Sequence, residues 1–237
     1  MLESPDMNSG HRAVKPIYLA SNSPRRRELL SLTGLAYRPR PTQVDETPLP
    51  GEDGLSYVRR IADRKAVTAA QQIDTGGLII AADTAVVDLH GNSRAGILGK
   101  PTSPEDAADM LRSLRGHTHQ VYTALSILPA PEGAIRADLC VTDVPMRNYT
   151  DNDIDSYVAS NDPLDKAGAY AIQHAGFHPV ELLHGCFANV MGLPLCHLAR
   201  NLVQLNILPP INVPQACQSA LAYDCPVYPA ILDGNVI

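Results

Sequence analysis

Apolar positions along the chain fall into runs of two kinds, continuous and periodic. Ile17-Tyr18-Leu19-Ala20 is continuous and reads as a buried strand. A short polar turn follows, then Ser23 as N-cap with Pro24 at the first helical position, where a missing N–H costs nothing. That helix carries Leu29 and Leu30 and stops at Gly34. Ala36 to Arg40 reads as a short strand. Leu55, Val58, Ala62, Ala66 and Ala69 recur at helical spacing, which predicts a helix from near Glu52 to about Gln72. Leu78-Ile79-Ile80-Ala81-Ala82 is again continuous and predicts a central strand buried on both faces, broken by Asp83-Thr84 and resumed at Ala85-Val86-Val87.

The stretch from His90 to Gly99 reads as a hairpin or loop. Ser103-Pro104-Glu105-Asp106 starts a helix that ends near Gly116. His119–Leu128 and Ile135–Met146 read as strands joined through Pro129–Gly133. Thr150 caps a helix to about Ser160, Ala169–Gln173 reads as a strand, and Leu193–Ile207 as an amphipathic helix. Strands alternating with helices, then a hairpin, predict an α/β fold with a central mixed sheet and flanking helices. Residues 1–15 read as a disordered extension, 16–208 as the folded domain, and the Pro-rich, aperiodic 209–237 as a loosely packed tail.

Composition narrows the function. The 237 residues are 45% hydrophobic and 19% charged, as in ordinary globular proteins. No apolar run reaches the ~20 residues that span a membrane, and the polar N-terminus lacks a secretory apolar core. A net charge of −6 argues against broad nucleic-acid binding. The basic residues nonetheless bunch at Arg25–Arg27 and Arg59–Lys65, which suits a local anionic ligand. Five cysteines without a C-x-x-C pair point to a reducing cytoplasm.

The chemistry gathers at the first strand-to-helix turn. Free backbone N–H groups and the positive end of the helix dipole meet three arginines and two serine hydroxyls there, a setting for a polyphosphate. A lone arginine triplet would read as a solvated face; the register of strand, N-cap serine and proline favours an anion site. Candidate phosphate ligands are Ser21, Ser23, Arg25, Arg26, Lys65 and Lys100, and candidate metal or base carboxylates are Glu46, Asp83 and Asp165. An aspartate inside a buried strand is costly unless paired or bound to metal, so Asp83 is either a structural hydrogen-bonding group or a ligand at the strand end. G-x-x-x-x-G-K-[ST], G-x-G-x-x-G and G-x-S-x-G are all missing from the sequence. His117-x-His119 lacks a third ligand nearby and reads as structural or surface rather than zinc-binding. Cys186 and Cys196 lack an evident base.

Taken in order, several stretches resemble the Maf family of nucleoside triphosphate pyrophosphatases, once called septum formation inhibitors. They are Leu19-Ala20-Ser21-x-Ser23-Pro24-Arg25-Arg26-x-Glu28-Leu29-Leu30, Val44-Asp45-Glu46, Lys65-Ala66, Ala82-Asp83-Thr84, Gly99-Lys100-Pro101, His119-Gln120-Val121-Tyr122-Thr123, Asp165 through Gln173, and Asn189 through Pro194. The resemblance covers about 16–208. It implies a mixed sheet split by a deep cleft, as in inosine triphosphatases, and hydrolysis of a nucleoside triphosphate to monophosphate and pyrophosphate. By motif, Asp83 is implied as proton acceptor, Arg25, Thr84 and Gln173 as the positions tuning base choice, and Glu46, Lys65 and Lys100 as lining the triphosphate and metal site. The version from Lys166 to Gln173 resembles the dTTP/UTP-preferring branch.

On this reading Glu46 and Asp83 hold a divalent cation, Mg²⁺ with Mn²⁺ or Co²⁺ as alternatives, while Arg25, Arg26, Lys65 and Lys100 neutralise the leaving pyrophosphate. The partner is the nucleotide, with no nucleic acid or membrane, and the family suggests a homodimer. Two other functions fit the residues: a nucleotide-binding regulator of cell division without catalysis, and a metal-dependent phosphomonoesterase. The sequence departs from the family between Asp88 and Lys100, which is longer than usual, and after Pro210.

Overall fold

The computed structural model describes residues 15–88 and 96–234. The disordered reading of 1–15 and most of the 88–100 loop therefore fall outside the described residues. β1 (Ile17–Leu19) leads into α1 (Pro24–Ser31), β2 (Tyr37–Pro39), α2 (Gly54–Ala70), the long β3 (Gly77–Val87) and the short β4 (Ile97–Leu98). Then come α3 (Pro104–Leu114), β5 (Thr118–Ala130), β6 (Arg136–Pro145) and α4 (Asp151–Ala159). Three helices complete the described domain and one closes it: α5 (Phe187–Val190), α6 (Leu195–Gln204), α7 (Val213–Leu221) and α8 (Tyr228–Leu232). No described helix is long and apolar enough to cross a membrane.

The sheet order is β2-β1-β3-β5-β6, with β4 paired on the end of β3. β1 runs parallel to β2 and β3, whereas β3–β4, β3–β5 and β5–β6 are antiparallel. The sheet is thus mixed, as the alternation of elements implied. β3 is the axis of the fold, and successive side chains on it point to opposite faces. Leu78, Ile80 and Ala82 enter one core with Leu29 and Leu30 of α1 and Leu198 and Leu202 of α6. Ile79, Ala81 and Ala85 face α2, packing with Ala66, Ala69, Val58 and Ile61. A further core joins Val86 to α3 and α4 through Leu111, Leu114 and Ile154.

That alternation decides where Asp83 and Thr84 point. Asp83 shares the face of Ile79 and Ala81, toward α2, while Thr84 shares the face of Ala82, toward α1. The expected break at this pair does not occur. β3 stays in register with β5 throughout, Asp83 opposite Ala124 and Thr84 opposite Thr123. The ladder satisfies the backbone, and an ammonium meets the carboxylate, so a polar pair interrupts the apolar run without ending the strand.

Two other expectations are corrected. Ala169–Gln173 is not a strand: a 3₁₀ turn spans Ala167–Ala169, with Gly168 at φ 68° and Ala169 at φ 60°. Two left-handed residues in succession are incompatible with extended pairing. Gly168 is also packed so closely on Val86 that an added Cβ would lie 2.9 Å from it. The tail is not loosely packed. Asn212 caps α7, accepting from Gln215 N, and Pro214 lies in its first turn. Both α7 and α8 pack on α6, burying Val213 and Ile231. Prolines that looked like breakers act as helix starters.

Candidate active site

Six separate parts of the chain converge on one cleft of about 410 Å³. The β1–α1 turn brings Ser21, Ser23, Arg25 and Arg26; the loop before α2 brings Glu46; α2 brings Lys65; β3 brings Asp83 and Thr84. Lys100 follows β4, and the segment after α4 brings Asp165 and Gln173. Every residue singled out for phosphate, metal or base contact lines this cleft.

The turn is built locally. Ser21 Oγ accepts from Ser23 N at 3.1 Å, and Ser23 Oγ accepts from Arg26 N at 3.4 Å. The turn and the start of α1 are thereby held in a fixed frame at the cleft. Arg26 is anchored on both sides of its guanidinium: Nε donates to Gly192 O at 2.8 Å and Nη2 to Thr84 Oγ1 at 3.0 Å. Arg25 pairs with Asp165 at 3.4 Å across the mouth, where Lys166 also meets Asp165 at 2.6 Å.

At the floor, Lys65 Nζ lies 2.7 Å from Asp83 Oδ1 and 2.6 Å from Glu46 Oε1. Asp83 is only 5% exposed. Burial pushes its carboxyl above the usual carboxylate range, against the pull of Lys65 and Arg26. At Glu46, burial also opposes ionisation. The hydrogen bond and charge of Lys65, with Lys100 and Arg26 behind them, more than offset it and hold this carboxyl low. The two carboxylates are therefore driven apart in acidity.

Sequence reasoning assigned no role to the layer behind Thr84. Thr84 Oγ1 lies 2.9 Å from Thr123 Oγ1, which donates to Asn189 O at 3.1 Å. The buried Asn189 amide donates in turn to Val121 O at 3.0 Å and Thr142 Oγ1 at 2.9 Å. Val121, Thr123 and Asn189 stood inside the matched motifs, but nothing local in the sequence marked them as a hydrogen-bonded layer. Tyr57 was missed as well: it lines the cleft, its phenol pushed up by burial and by Asp83 and Glu46. His117 and His119 do not act together. His117 pairs with Asp88 at 3.3 Å, and His119 Nε2 with the Tyr170 hydroxyl at 2.8 Å. Burial pushes the Cys196 thiol up, and a hydrogen bond from the Cys186 thiol to Cys140 together with burial does the same to Cys186, so neither is a ready nucleophile.

Among the described residues, no three His, Cys, Asp or Glu side chains gather into a metal-holding group. Glu46 and Asp83 would be the donor set, two carboxylates joined through a lysine. Such a set fits Mg²⁺, which takes one or two carboxylates and completes its shell with waters and substrate phosphates.

A family model described as Maf-like protein matches residues 16–205. The chain is 40% identical over 199 residues to a protein of Dehalococcoides mccartyi named dTTP/UTP pyrophosphatase, covering 83% of this chain and 85% of that one. It is 46% identical over 185 residues to a protein of the same name from Anaeromyxobacter dehalogenans, covering 77% and 90%. The structure of a HAM1 protein from Coxiella burnetii aligns over 69% of this chain and 90% of that one, at 17% identity and a TM-score of 0.42. With its cleft motifs in place and the family model matching residues 16–205, the chain belongs to the Maf-like protein family.

Proposed function

We propose that this protein hydrolyses dTTP and UTP to the nucleoside monophosphate and pyrophosphate. One observation carries the reading: a buried carboxylate, Asp83, stands at the floor of a cleft that also gathers Arg25, Arg26, Lys65, Lys100 and the N-terminus of α1. A site that only captured a triphosphate would gain from losing that negative charge; a hydrolase needs a proton acceptor there. The relatives named dTTP/UTP pyrophosphatase support the choice of substrate.

The arginines, Lys100 and the backbone N–H groups of α1 bind the phosphates and neutralise the pyrophosphate as it leaves. Asp83 takes a proton from the water that attacks the α-phosphorus, and the bond between that phosphorus and the bridging oxygen breaks. Lys65 fixes the orientation of Asp83 and keeps Glu46 beside it. Glu46 and Asp83 would hold Mg²⁺, with Mn²⁺ or Co²⁺ as substitutes. When bound, the ion supplies neutralisation of phosphate charge and a more acidic water. Gln173 lines the cleft, exposed, and none of the described residues hydrogen-bonds its amide, so the amide is free to read a pyrimidine edge.

The test is product identification. Purified protein with Mg²⁺ and a panel of nucleoside triphosphates is expected to give monophosphate and pyrophosphate in equal amounts, fastest from dTTP and UTP. Release of orthophosphate instead would make the protein a phosphatase; binding without turnover would make it a regulator.

A further inference from the structure

The two C-terminal helices lie beyond the residues that the family model matches, yet they reach the back of the cleft wall. The contact is made by Tyr223, in the turn after α7. Its hydroxyl lies 3.0 Å from Leu183 O and 2.9 Å from Gly185 O, and donates to this pair of carbonyls. Its ring packs on Phe187, the first residue of α5, at 5.3 Å between centroids. Four residues along, the same short segment becomes cleft wall at Val190, Met191 and Gly192. Gly192 O is the acceptor that anchors Arg26 Nε, and Gly192 N is itself held by Ala188 O and Asn189 O.

The far side of this segment has little freedom. Gly185 sits so close to Thr142 that an added Cβ would lie 2.5 Å from its methyl group. The extension is tied down independently of Tyr223: Arg200 Nη1 donates to Ile231 O at 2.8 Å, and Cys225 N to Gln218 Oε1 at 2.9 Å. A fixed post thus holds the entry to α5, and α5 holds the carbonyl that aims Arg26.

We propose that the C-terminal helices brace the cleft wall, with Tyr223 as a positioning residue that acts on triphosphate binding through residues 185–192 and Arg26. The proposal rests on the reading of Arg26 as a phosphate ligand, so the test needs one readout independent of turnover. Tyr223→Phe keeps the ring and removes the hydroxyl; Tyr223→Ala removes both. For Tyr223→Phe, KM for dTTP is expected to rise about 2- to 10-fold, the worth of one hydrogen bond, with kcat within about twofold. Tyr223→Ala is expected to extend the same trend. In the protein without substrate, amide exchange should quicken at 185–192 in both variants and stay unchanged in α2. A tyrosine with only a stability role would lower Tm and leave KM where it was; that result overturns the proposal, as does unchanged exchange at 185–192. A wild-type protein inert toward dTTP but with the exchange pattern intact would count against the substrate assignment and not against the brace.

Discussion

The Lys65 ammonium sits 2.7 Å from Oδ1 of Asp83, and both side chains are buried. One lysine thereby opposes the neutralisation that burial favours for a carboxylate in a strand interior. Removing it should be costly in a pH-dependent way. Lys65→Met leaves an unpartnered buried carboxylate, and the loss of one member of such a pair typically costs about 3–5 kcal/mol. The cost is avoided when Asp83 is protonated. Burial already raises the folded carboxyl above the ordinary aspartate value, so the folded state binds this proton more tightly than the unfolded chain does. Stability from this group therefore falls as pH rises above the ordinary aspartate value. Thermal melts of the variant should show a larger deficit against wild type at about pH 8 than at about pH 5. An equal deficit at both would mean that Lys65 does not govern the charge of Asp83.

Asp83→Asn separates chemistry from folding. The change is nearly isosteric and leaves the Lys65 ammonium paired with Glu46, so Tm should hardly fall. Turnover should fall by about 10²- to 10⁴-fold, the usual worth of a general base. A steady-state assay beside a melting curve checks both. Near-wild-type activity would take Asp83 out of the mechanism.

Base choice should rest on Gln173. Its amide offers a donor and an acceptor side by side, matching N3–H and a carbonyl of uracil or thymine. Gln173→Leu should lower kcat/KM for dTTP and UTP by roughly 5- to 150-fold, from ~1–3 kcal/mol for a bidentate pair. Purine triphosphates should change far less. A uniform fall across the panel would make Gln173 structural.

Acid sensitivity should come from two buried imidazoles, His119 and His197. Burial lowers both His119 and His197 to about 4. Between that value and the ordinary 6.5, the unfolded chain binds protons that the folded protein refuses. Stability is thus fully present above about pH 6.5 and is lost as pH falls toward 4, by about 3 kcal/mol for each histidine. His119→Gln should flatten the slope of denaturant-derived stability over this window by about half. An unchanged slope would assign the acid limb to other groups.

Much of this was legible in the chain because local rules and tertiary demands agreed. Ser23-Pro24 and Thr150 are helix starts in both sequence and structure, and each N-cap accepts the expected backbone bond. The convergence of Ser21, Arg26, Lys65 and Asp83 followed from motif order. The failures occurred where a distant partner overrode a local signal. Asp83 was read as a strand breaker because Lys65, 18 residues earlier, is invisible to a local window. Ala169–Gln173 looked extended until two left-handed residues packed against Val86. The last 30 or so residues looked aperiodic because α7 and α8 are too short to show a period, and their cores are single residues, Val213 and Ile231. Thr123 and Asn189 carried no signal of their own, since a buried hydrogen-bond relay is a property of the fold.

The most direct test of the central claim is to follow the attacking oxygen. Hydrolysis of dTTP in heavy-oxygen water should place the label in dTMP and leave pyrophosphate unlabelled, because water guided by Asp83 attacks the α-phosphorus. Label in pyrophosphate, or in released orthophosphate, would put the attack on another phosphorus and contradict the account.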